Sequence, residues 1–417
     1  MTYSHRCKHA SLIVPRVRPI LSHKNAINVE AVEPCVCVIG VGFVGEALLR
    51  EFGQVFTSIG FDISQKRIDE LAKSFESLPK VDLTADKAKL SQATHYLISV
   101  PTPLKKDRSV NMIHLVSAIS TAFKYARPGS VIVLESSVCV GTTRKFFSAY
   151  KDVYHCGMSP ERVDPGRTQP TAKEITKLVS GLTPKALALI QGIYAKVFDH
   201  VISVSSPETA EMTKLFENCQ RMINIAYVNE MADAARTHGV DPDEMILAAS
   251  SKPYGFTPYT PGLGVGGTCI PINPFYLFAN NKNLPVLEEA TAQMRKRPST
   301  KARKFHTRVT SSLSGQCPRI LVVGIGYKPG QSLLSGSPGL AFAERLRRLG
   351  CSRLAFYDPL VQGGVLEWME KLQDVFWHSV YLEENFDAIA MCMRQTNTDF
   401  TVIEKLHASK VIVQEFR

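Results

Sequence analysis

The stretch Cys35-Val36-Cys37-Val38-Ile39-Gly40-Val41-Gly42-Phe43-Val44-Gly45 decides the fold of this chain. Its first half is rich in β-branched residues and predicts a buried strand, and the segment 46–52 that follows is compatible with a helix. The glycines have the spacing that allows a tight turn, close approach of a pyrophosphate and close packing of helix on strand. A glycine-rich turn that binds nothing is the alternative, but the strand–turn–helix context favours a dinucleotide site.

Further strands alternate with helices along the next part of the chain. Strands are predicted at 58–63, 96–100 and 130–134, with helices at 65–75 and 112–125 between them. Such alternation predicts a doubly wound parallel sheet, here over residues 35–205. Asp62 ends the second strand, about 20 residues after the glycines, where a carboxylate binds ribose hydroxyls. NAD is favoured over NADP, because a 2′-phosphate beside Asp62 would meet like charge.

A long helix is predicted to follow. Ser206-Pro207-Glu208 supplies an N-cap, a first-turn proline and a first-turn acid, and no strong breaker follows before Gly239. At the usual rise this helix spans roughly 45 Å, which is too long for one small core to cover. We therefore expect a homodimer through the 206–238 helix, within a central helical domain at 206–300.

A second α/β domain is predicted at 301–417. A strand at 319–323 runs into Gly324-Ile325-Gly326, and a helix at 339–349 precedes strands at 353–357, 388–393 and 411–413. The fold class is therefore α/β, with two Rossmann-like doubly wound domains joined by a long central helix. The second Gly-x-Gly lacks the third glycine and is a poorer dinucleotide site. Tyr327 and Lys328 after it could stack a base and pair with a diphosphate, or form an ordinary turn with an exposed lysine.

Composition narrows the function classes. The 417 residues are 45% apolar and 21% charged, as in ordinary globular proteins, and no apolar run is long enough to span a membrane. The net charge of +11 favours anionic ligands, but the basic clusters Arg295-Lys296-Arg297 and 301–308 predict a solvated helix face rather than a nucleic-acid surface. The ten cysteines show no disulfide or zinc spacing. We expect reduced thiols, a cytoplasmic location, and no metal, nucleic-acid or membrane partner.

The first residues are basic and carry no acid before Glu30. This pattern predicts a disordered basic leader at 1–34, and an organellar transit peptide is the alternative.

A glycine-rich loop places one thiol in an unusual setting. The loop Pro261-Gly262-Leu263-Gly264-Val265-Gly266-Gly267-Thr268-Cys269 can wrap closely around a ligand and makes Cys269 a candidate nucleophile. Lys214 and Asn218 stand one turn apart on the long helix, and a cation and an amide so placed could hold an oxyanion. Taken singly, a buried structural cysteine and a solvated lysine are the commoner explanations.

Taken in order, these motifs resemble the nucleotide-sugar 6-dehydrogenases, the family of UDP-glucose, UDP-N-acetylglucosamine and GDP-mannose dehydrogenases. The cysteine loop of this chain is more similar to that of the UDP-N-acetylhexosamine branch of the family than to that of the UDP-glucose branch. The motifs that carry the resemblance are the first glycine turn, Ser99-Val100-Pro101-Thr102-Pro103, Glu135-Ser136-Ser137-Val138, Ser159-Pro160-Glu161-Arg162-Val163 and the cysteine loop.

The resemblance implies NAD-dependent oxidation of the C6 hydroxymethyl of a UDP-sugar to a carboxylate, through a thiohemiacetal and a thioester on the cysteine. It implies a catalytic set of Cys269, Lys214, Asn218, Glu161, Ser137 and Asn273. It implies a cofactor site made of Gly40, Gly42, Phe43, Val44, Gly45, Asp62, Arg67, Pro101, Thr102 and Ser137. It implies substrate contacts by Glu161, Lys214, Gly266, Gly267, Tyr327 and Lys328.

Several positions depart from the family pattern. Asn273 stands where the family carries a carboxylate four residues after the cysteine, and an amide does not accept a proton at neutral pH. The segments 333–338 and 293–298 also differ from their family motifs. The alternative hypothesis is therefore a catalytically impaired paralogue that binds NAD and UDP-sugar or regulates an active partner.

Overall fold

The computed structural model describes residues 25–164, 169–313 and 316–416. These residues form two compact units, which we describe separately. Unit 1 comprises the chain up to Glu217 together with Phe275–Lys282, and unit 2 comprises Asn218–Pro274 and Asn283–Arg417. The segment 206–300 is thus shared between the units, and its standing as a separate domain remains a prediction.

Unit 1 is built on an eight-stranded sheet that confirms the predicted α/β class. The strand order is β3-β2-β1-β4-β5-β6-β7-β8, and every neighbouring pair is parallel except β6 and β7. The strands are β1 (Cys35–Ile39), β2 (Thr57–Phe61), β3 (Val81–Thr84), β4 (His95–Ile98), β5 (Val131–Leu134), β6 (His155–Met158), β7 (Lys177–Gly181) and β8 (Val201–Ser203).

Helices cover both faces of this sheet. Alternate residues of β1 enter opposite cores, Cys37 and Ile39 on one side and Val36 and Val38 on the other. A strand buried on both faces reads as a continuous apolar run, as the sequence showed. The helices of unit 1 before residue 200 are α1 (Phe43–Val55), α2 (Gln65–Phe75), α3 (Ile113–Tyr125), α4 (Thr142–Phe147) and α5 (Pro184–Tyr194).

The folded body begins before residue 35, which corrects the predicted leader. The Ile27 backbone N–H donates to the Pro128 carbonyl at 2.8 Å, and the Val29 side chain is buried in the core that α1 covers. Ile27 and Val29 therefore belong to the folded body of unit 1. The rest of the predicted leader, residues 1–24, lies outside the described residues.

The long helix predicted from Ser206 onward is confirmed. Helix α6 (Pro207–Thr237) ends just before Gly239, whose φ of +72° is a conformation that suits glycine. It is followed by α7 (Pro242–Ser250), α8 (Asn273–Phe278) and α9 (Pro285–Ser312). Helix α9 continues through Pro298, which has no N–H for the carbonyl four residues before it.

Unit 2 contains a second parallel sheet, ordered β11-β10-β9-β12-β13. A Cβ on Gly40, after β1, would lie 2.4 Å from the Ser99 carbonyl oxygen, and one on Gly324, after β9, would lie 2.2 Å from that of Met393. The first strand of the pattern in each sheet, β1 and β9, is therefore followed by a glycine turn of the same geometry. The elements are β9 (Arg319–Val323), α10 (Pro338–Arg348), β10 (Arg353–Tyr357), β11 (Glu370–Lys371), α11 (Ser379–Asn385), β12 (Ala388–Met391), α12 (Thr401–Glu404) and β13 (Ile412–Glu415).

In the described ranges, no helix combines the length and the apolar character that crossing a lipid bilayer requires. The cytoplasmic location expected from the sequence stays a prediction.

The close approach of α1 to β1 gives a test of the packing. A Cβ on Gly45 would lie 1.9 Å from the Gly40 carbonyl oxygen, so we expect Gly45→Ala to lower the free energy of unfolding by about 1–3 kcal/mol. The matched control is Gly192→Ala, an exposed position in α5 where a Cβ meets no atom within 4 Å; alanine there should raise stability by about 0.5–1 kcal/mol. Urea unfolding measures both, and equal effects would contradict the packing argument.

Candidate active site

The first candidate region lies at the carboxyl ends of β1 and β4. The sheet order runs 3-2-1 on one side of this pair and 4-5-6 on the other, so it is the topological switch point, where doubly wound sheets bind ligands. Gly40 has a φ of +90° and packs against the backbone of Ser99, so a side chain at position 40 is excluded. The predicted glycine turn and the 99–103 motif are therefore adjacent.

The N-terminus of α1 opens this crevice. Gly42 is its N-cap and makes no side-chain capping bond, and a Cβ there would meet no atom within 4 Å. Phe43 and Val44 form the first turn, where backbone N–H groups point out of the helix. Open space in front of an uncapped helix N-terminus fits a pyrophosphate group. The predicted glycine turn therefore has the geometry that a dinucleotide needs.

Asp62 and Arg67 border the same turn. Asp62 accepts the Val41 backbone N–H at 3.1 Å and the Ser64 N–H at 2.9 Å, which fixes its half-buried carboxylate at the end of β2. The Arg67 guanidinium donates to the Val41 carbonyl at 2.9 Å and to Glu46 at 2.7 Å. The structure brings both predicted residues to the turn. Direct binding of a cofactor by Arg67 stays a prediction.

Thr102, Ser137 and Tyr276 form a second group in unit 1. The Thr102 hydroxyl donates to the Ser137 carbonyl at 2.9 Å, and the buried Tyr276 hydroxyl contacts the Thr102 Oγ1 at 2.7 Å and also its carbonyl oxygen. Two predicted cofactor residues are thus joined, beside the exposed Pro101. No sequence pattern pointed to Tyr276, because its contact with Thr102 spans 174 residues of chain.

The Glu161 carboxylate, predicted to act on water and substrate, is bound by two backbone N–H groups and a lysine. Its Oε1 accepts the backbone N–H groups of Arg162 at 2.6 Å and Val163 at 2.7 Å, and its Oε2 lies 3.2 Å from the Lys177 Nζ. Burial opposes ionisation, but the Lys177 ammonium and the two N–H groups outweigh it, so the pKa of Glu161 is lowered. A carboxylate so engaged is a weak proton acceptor. Here it anchors the backbone at 161–163, and a role toward water stays a prediction.

Lys177 links Glu161 to a second buried acid. Its ammonium lies 2.7 Å from the Glu135 carboxylate, which also accepts a hydrogen bond from the Tyr194 hydroxyl. Burial raises the pKa of Glu135, although Lys177 and Tyr194 oppose that effect. Two carboxylates therefore share one buried cation. The sequence did not reveal this group.

In unit 2, Cys269 begins a helical turn that leads into α8. Its side chain is exposed, and its carbonyl accepts the Asn273 backbone N–H at 2.9 Å. The buried Asn218 amide on α6 donates to the Asn273 Oδ1. The structure thus brings these three predicted residues into one arrangement. Asn273 supplies the same acceptor oxygen as a carboxylate but not its charge. Lys214, half-buried, lies one turn earlier on α6 in unit 1.

Tyr327 packs on the cysteine loop. A Cβ on Gly266 would lie 2.7 Å from the Tyr327 carbonyl oxygen, and one on Gly267 would lie 2.8 Å from its ring. Gly267 also has a φ of +91°. These close approaches explain why the loop needs glycine at both positions. The predicted substrate residues Gly266, Gly267, Tyr327 and, next in sequence, Lys328 therefore share one region of unit 2.

The second Gly-x-Gly turn is closed by a carboxylate. The fully buried Asp358, after β10, accepts the backbone N–H groups of Ile325 at 3.1 Å and Gly326 at 3.0 Å. Gln395 donates to the same carboxylate at 3.3 Å. An anion of the protein itself thus occupies the amides that a pyrophosphate would need. This agrees with the prediction that the turn is a poorer dinucleotide site.

Comparison with known proteins agrees with this geometry. The NAD binding domain of the UDP-glucose/GDP-mannose dehydrogenase family matches residues 35–198, and the central domain of that family matches residues 208–296. The chain belongs to this family, as its motifs predicted, and NAD is confirmed as its cofactor. Binding of NAD at the first glycine turn stays a prediction.

Three relatives illustrate the similarity. The chain is 34% identical to a UDP-N-acetyl-D-glucosamine 6-dehydrogenase of Pseudomonas aeruginosa over 58% of this chain, and it spans only 62% of that relative's length. It is 30% identical to a UDP-N-acetyl-D-mannosamine dehydrogenase of Methanocaldococcus jannaschii over 70% of this chain and 72% of that one. The solved structure of a UDP-D-ManNAc dehydrogenase from Pyrococcus horikoshii superimposes with a TM-score of 0.79 at 25% identity, covering 92% of this chain and 95% of that one.

The buried Lys177 gives the second test. Lys177→Met would leave Glu135 and Glu161 without their cation, so we expect a loss of about 3–5 kcal/mol in the free energy of unfolding. The control is Lys173→Met, whose ion pair with Asp199 at 3.2 Å is exposed and should contribute less than about 1 kcal/mol. Urea unfolding at neutral pH compares them. A loss no larger for Lys177 than for Lys173 would show that the buried acids do not depend on it.

Proposed function

We propose that this protein oxidises the C6 hydroxymethyl of a UDP-sugar to a carboxylate with NAD, and that the sugar is an N-acetylhexosamine. The carrying observation is the exposed Cys269, held on a turn by Asn273 and Asn218 and carried by a loop against which Tyr327 packs. The names of the relatives and the form of the cysteine loop support the acetylated sugar. UDP-glucose is the rival substrate.

The reaction divides into two oxidations joined by the thiol. The C6 alcohol loses a hydride and a proton to become an aldehyde, and the Cys269 sulfur adds to its carbonyl to form a thiohemiacetal. Loss of a second hydride from carbon and of the hydroxyl proton gives a thioester, which water hydrolyses to the carboxylate and the regenerated thiol. Bound NAD supplies the hydride acceptor, and this four-electron oxidation consumes two equivalents.

Side chains on α6 act on the charge that develops at the substrate oxygen. The Asn218 amide nitrogen carries two N–H groups and Asn273 engages one of them, so the second can donate to an oxyanion. The Lys214 ammonium would add a positive charge to the same oxygen. Asn273 orients Asn218 but does not move a proton at neutral pH.

The uridine diphosphate is assigned to the Tyr327–Lys328 turn. The aromatic ring can stack on a base, and the ammonium can pair with a phosphate. Because Tyr327 packs on Gly266 and Gly267, a nucleotide bound there would lie beside the loop that carries the thiol. The turn would therefore orient the sugar end of the substrate.

A panel of UDP-sugars tests the function. We expect the purified protein to reduce two NAD per sugar with UDP-N-acetylglucosamine or UDP-N-acetylmannosamine, and more slowly with UDP-glucose, when reduced cofactor is followed by absorbance. Cys269→Ala should abolish the second equivalent. Mass spectrometry of trapped protein should find an acyl adduct on Cys269. Absence of reduction with every UDP-sugar would reject the proposal.

Asn273→Asp distinguishes an efficient enzyme from an impaired paralogue. Because the amide oxygen already holds Asn218, we expect the added carboxylate to change the rate by less than about tenfold, well below the roughly 10²–10⁴-fold contribution of a needed general base. A gain on the order of 10²-fold or more would show instead that the natural protein lacks a needed base.

We also propose a homodimer through α6. This helix exposes Met212, Phe216, Tyr227 and Met231, with 64% of Phe216 and 63% of Tyr227 accessible in the single chain. Large apolar side chains on one helix favour burial against a second copy.

Sedimentation velocity tests this assembly. We expect twice the chain mass of 46.1 kDa, reduced to one chain mass by the double substitution Phe216→Asp and Tyr227→Asp. Val375→Asp, at a position 73% exposed in unit 2, is the control and should leave the mass unchanged. A wild-type monomer at micromolar concentration would contradict the proposal.

A further inference from the structure

Arg297 is buried, although the sequence placed it in a solvated basic cluster. It lies on α9 directly before Pro298, and only 9% of the residue is exposed. Its neighbours Arg295 and Lys296 are exposed, as predicted. Burying a guanidinium is costly unless its donors are satisfied, so its partners indicate what it holds in place.

One of these partners is the backbone at the start of the cysteine loop. The Arg297 Nε donates to the Gly262 carbonyl at 2.9 Å. On the other side of the same residue, the Gly262 N–H donates to the Oδ1 of the fully buried Asn229 at 2.9 Å. Asn229 is itself fixed by a bond from its Nδ2 to the Ile225 carbonyl at 2.8 Å. Both polar backbone groups of Gly262 are therefore held by buried side chains.

The rest of the guanidinium binds Asp233 on α6. The two terminal nitrogens of Arg297 contact the two carboxylate oxygens at 2.5 and 3.0 Å, and Lys301 contacts the same carboxylate at 2.6 Å. Burial opposes ionisation of Asp233, but the hydrogen bonds from Arg297 and Lys301 lower its pKa to about 2. A bidentate pair of this kind fixes the plane of the guanidinium, so Nε points in one direction.

The loop residues after Gly262 continue this attachment. Leu263 is buried in the core that includes Phe305 of α9. A Cβ on Gly264 would lie 3.2 Å from the Pro298 ring and 3.4 Å from the Met294 carbonyl, which the proline leaves without its helical N–H donor. The loop from residue 262 to 264 is thus attached to α9, five to seven residues before Cys269.

We propose that Arg297 is a positioning residue for Cys269: by joining the Gly262 carbonyl to Asp233 it fixes the start of the glycine loop, and so the place where the thiol meets its substrate. The inference rests on the proposed function for its catalytic consequence, but the attachment itself does not. A loop of glycines has little stiffness of its own, so its geometry depends on where its ends are held. A shift of about 1 Å at a reacting group can cost on the order of 10²-fold in rate.

The test compares Arg297→Met with Arg319→Gln. Arg319 is a matched control in the second sheet, because it also pairs with an aspartate, Asp387 at 2.7 Å, and donates to a backbone carbonyl, that of Glu384 at 2.6 Å. Alkylation of Cys269 by iodoacetamide, followed by mass spectrometry of the Cys269 peptide, needs no turnover. We expect Arg297→Met to change this rate by about threefold or more, since thiol reactivity depends on local environment and access. Arg319→Gln should leave it unchanged.

Kinetics supply the second readout. Arg297→Met should lower kcat on the order of 10²-fold while the KM for NAD stays within about twofold, because NAD is assigned to unit 1. Asp233→Asn keeps the hydrogen bond from Arg297 to Gly262, so it should lower kcat less than Arg297→Met does. Arg297→Lys replaces the planar guanidinium by a single ammonium group, so it should lower kcat by an intermediate factor. If Arg297→Met does not fold, the kcat and alkylation rate of Arg297→Lys test the positioning role instead.

The outcomes separate this inference from the function. Unchanged Cys269 alkylation in folded Arg297 variants, or an equal change in Arg319→Gln, would overturn the positioning role and leave only a structural ion pair. If the wild-type protein oxidises no UDP-sugar but Arg297→Met still alters alkylation, the proposed function fails and the attachment of the loop stands.

Discussion

The approach of helix α1 to strand β1 is the constraint on which unit 1 depends. A Cβ on Gly45 would lie 1.9 Å from the Gly40 carbonyl oxygen, and one on Gly40 would lie 2.4 Å from the Ser99 carbonyl oxygen, so neither position accepts a side chain. Backbone contact at both points brings the first turn of α1 to the switch point of the sheet, where its N–H groups can meet an anion. Asp62 reaches this turn because β2 pairs in register with β1. The geometry of the region predicted to bind NAD therefore depends on two positions where no side chain fits.

Local patterns predicted much of the fold. Helix α2 has the predicted bounds 65–75, because Ser64 caps its N-terminus and its apolar residues follow the helical period. Strands β3 and β8, of four and three residues, were missed because so few residues carry little periodic signal and their faces are partly exposed. Strand β7 was missed because it begins with Lys177 and contains only two large apolar residues, Leu178 and Val179, which is too short a run to predict a buried strand.

In the candidate site too, residues in local motifs were predicted and residues that act through distant contacts were not. Residues within motifs, such as the glycines, Asp62 and Cys269, were found because their spacing carries the chemistry. Residues that hold them were not, since Tyr276 and Arg297 act across 174 and 35 positions of chain, respectively. Arg297 also follows two exposed basic residues, Arg295 and Lys296, so its charge predicted a solvent-exposed side chain. Only the tertiary fold shows that one member of a basic run is buried and bonded to the loop.

The carboxylate of Asp358 distinguishes the two Gly-x-Gly turns of the chain. Within the described residues, the first sheet keeps a turn with room for a pyrophosphate, whereas the second fills its own turn with this side chain. In the described part of the chain, this geometry favours a dinucleotide at the first turn and not at the second. In the proposed double oxidation, a single dinucleotide site would make the two steps serial, with reduced cofactor leaving and oxidised cofactor binding before the second hydride transfer. The proposed covalent bond to the Cys269 sulfur would keep the aldehyde from leaving during that exchange.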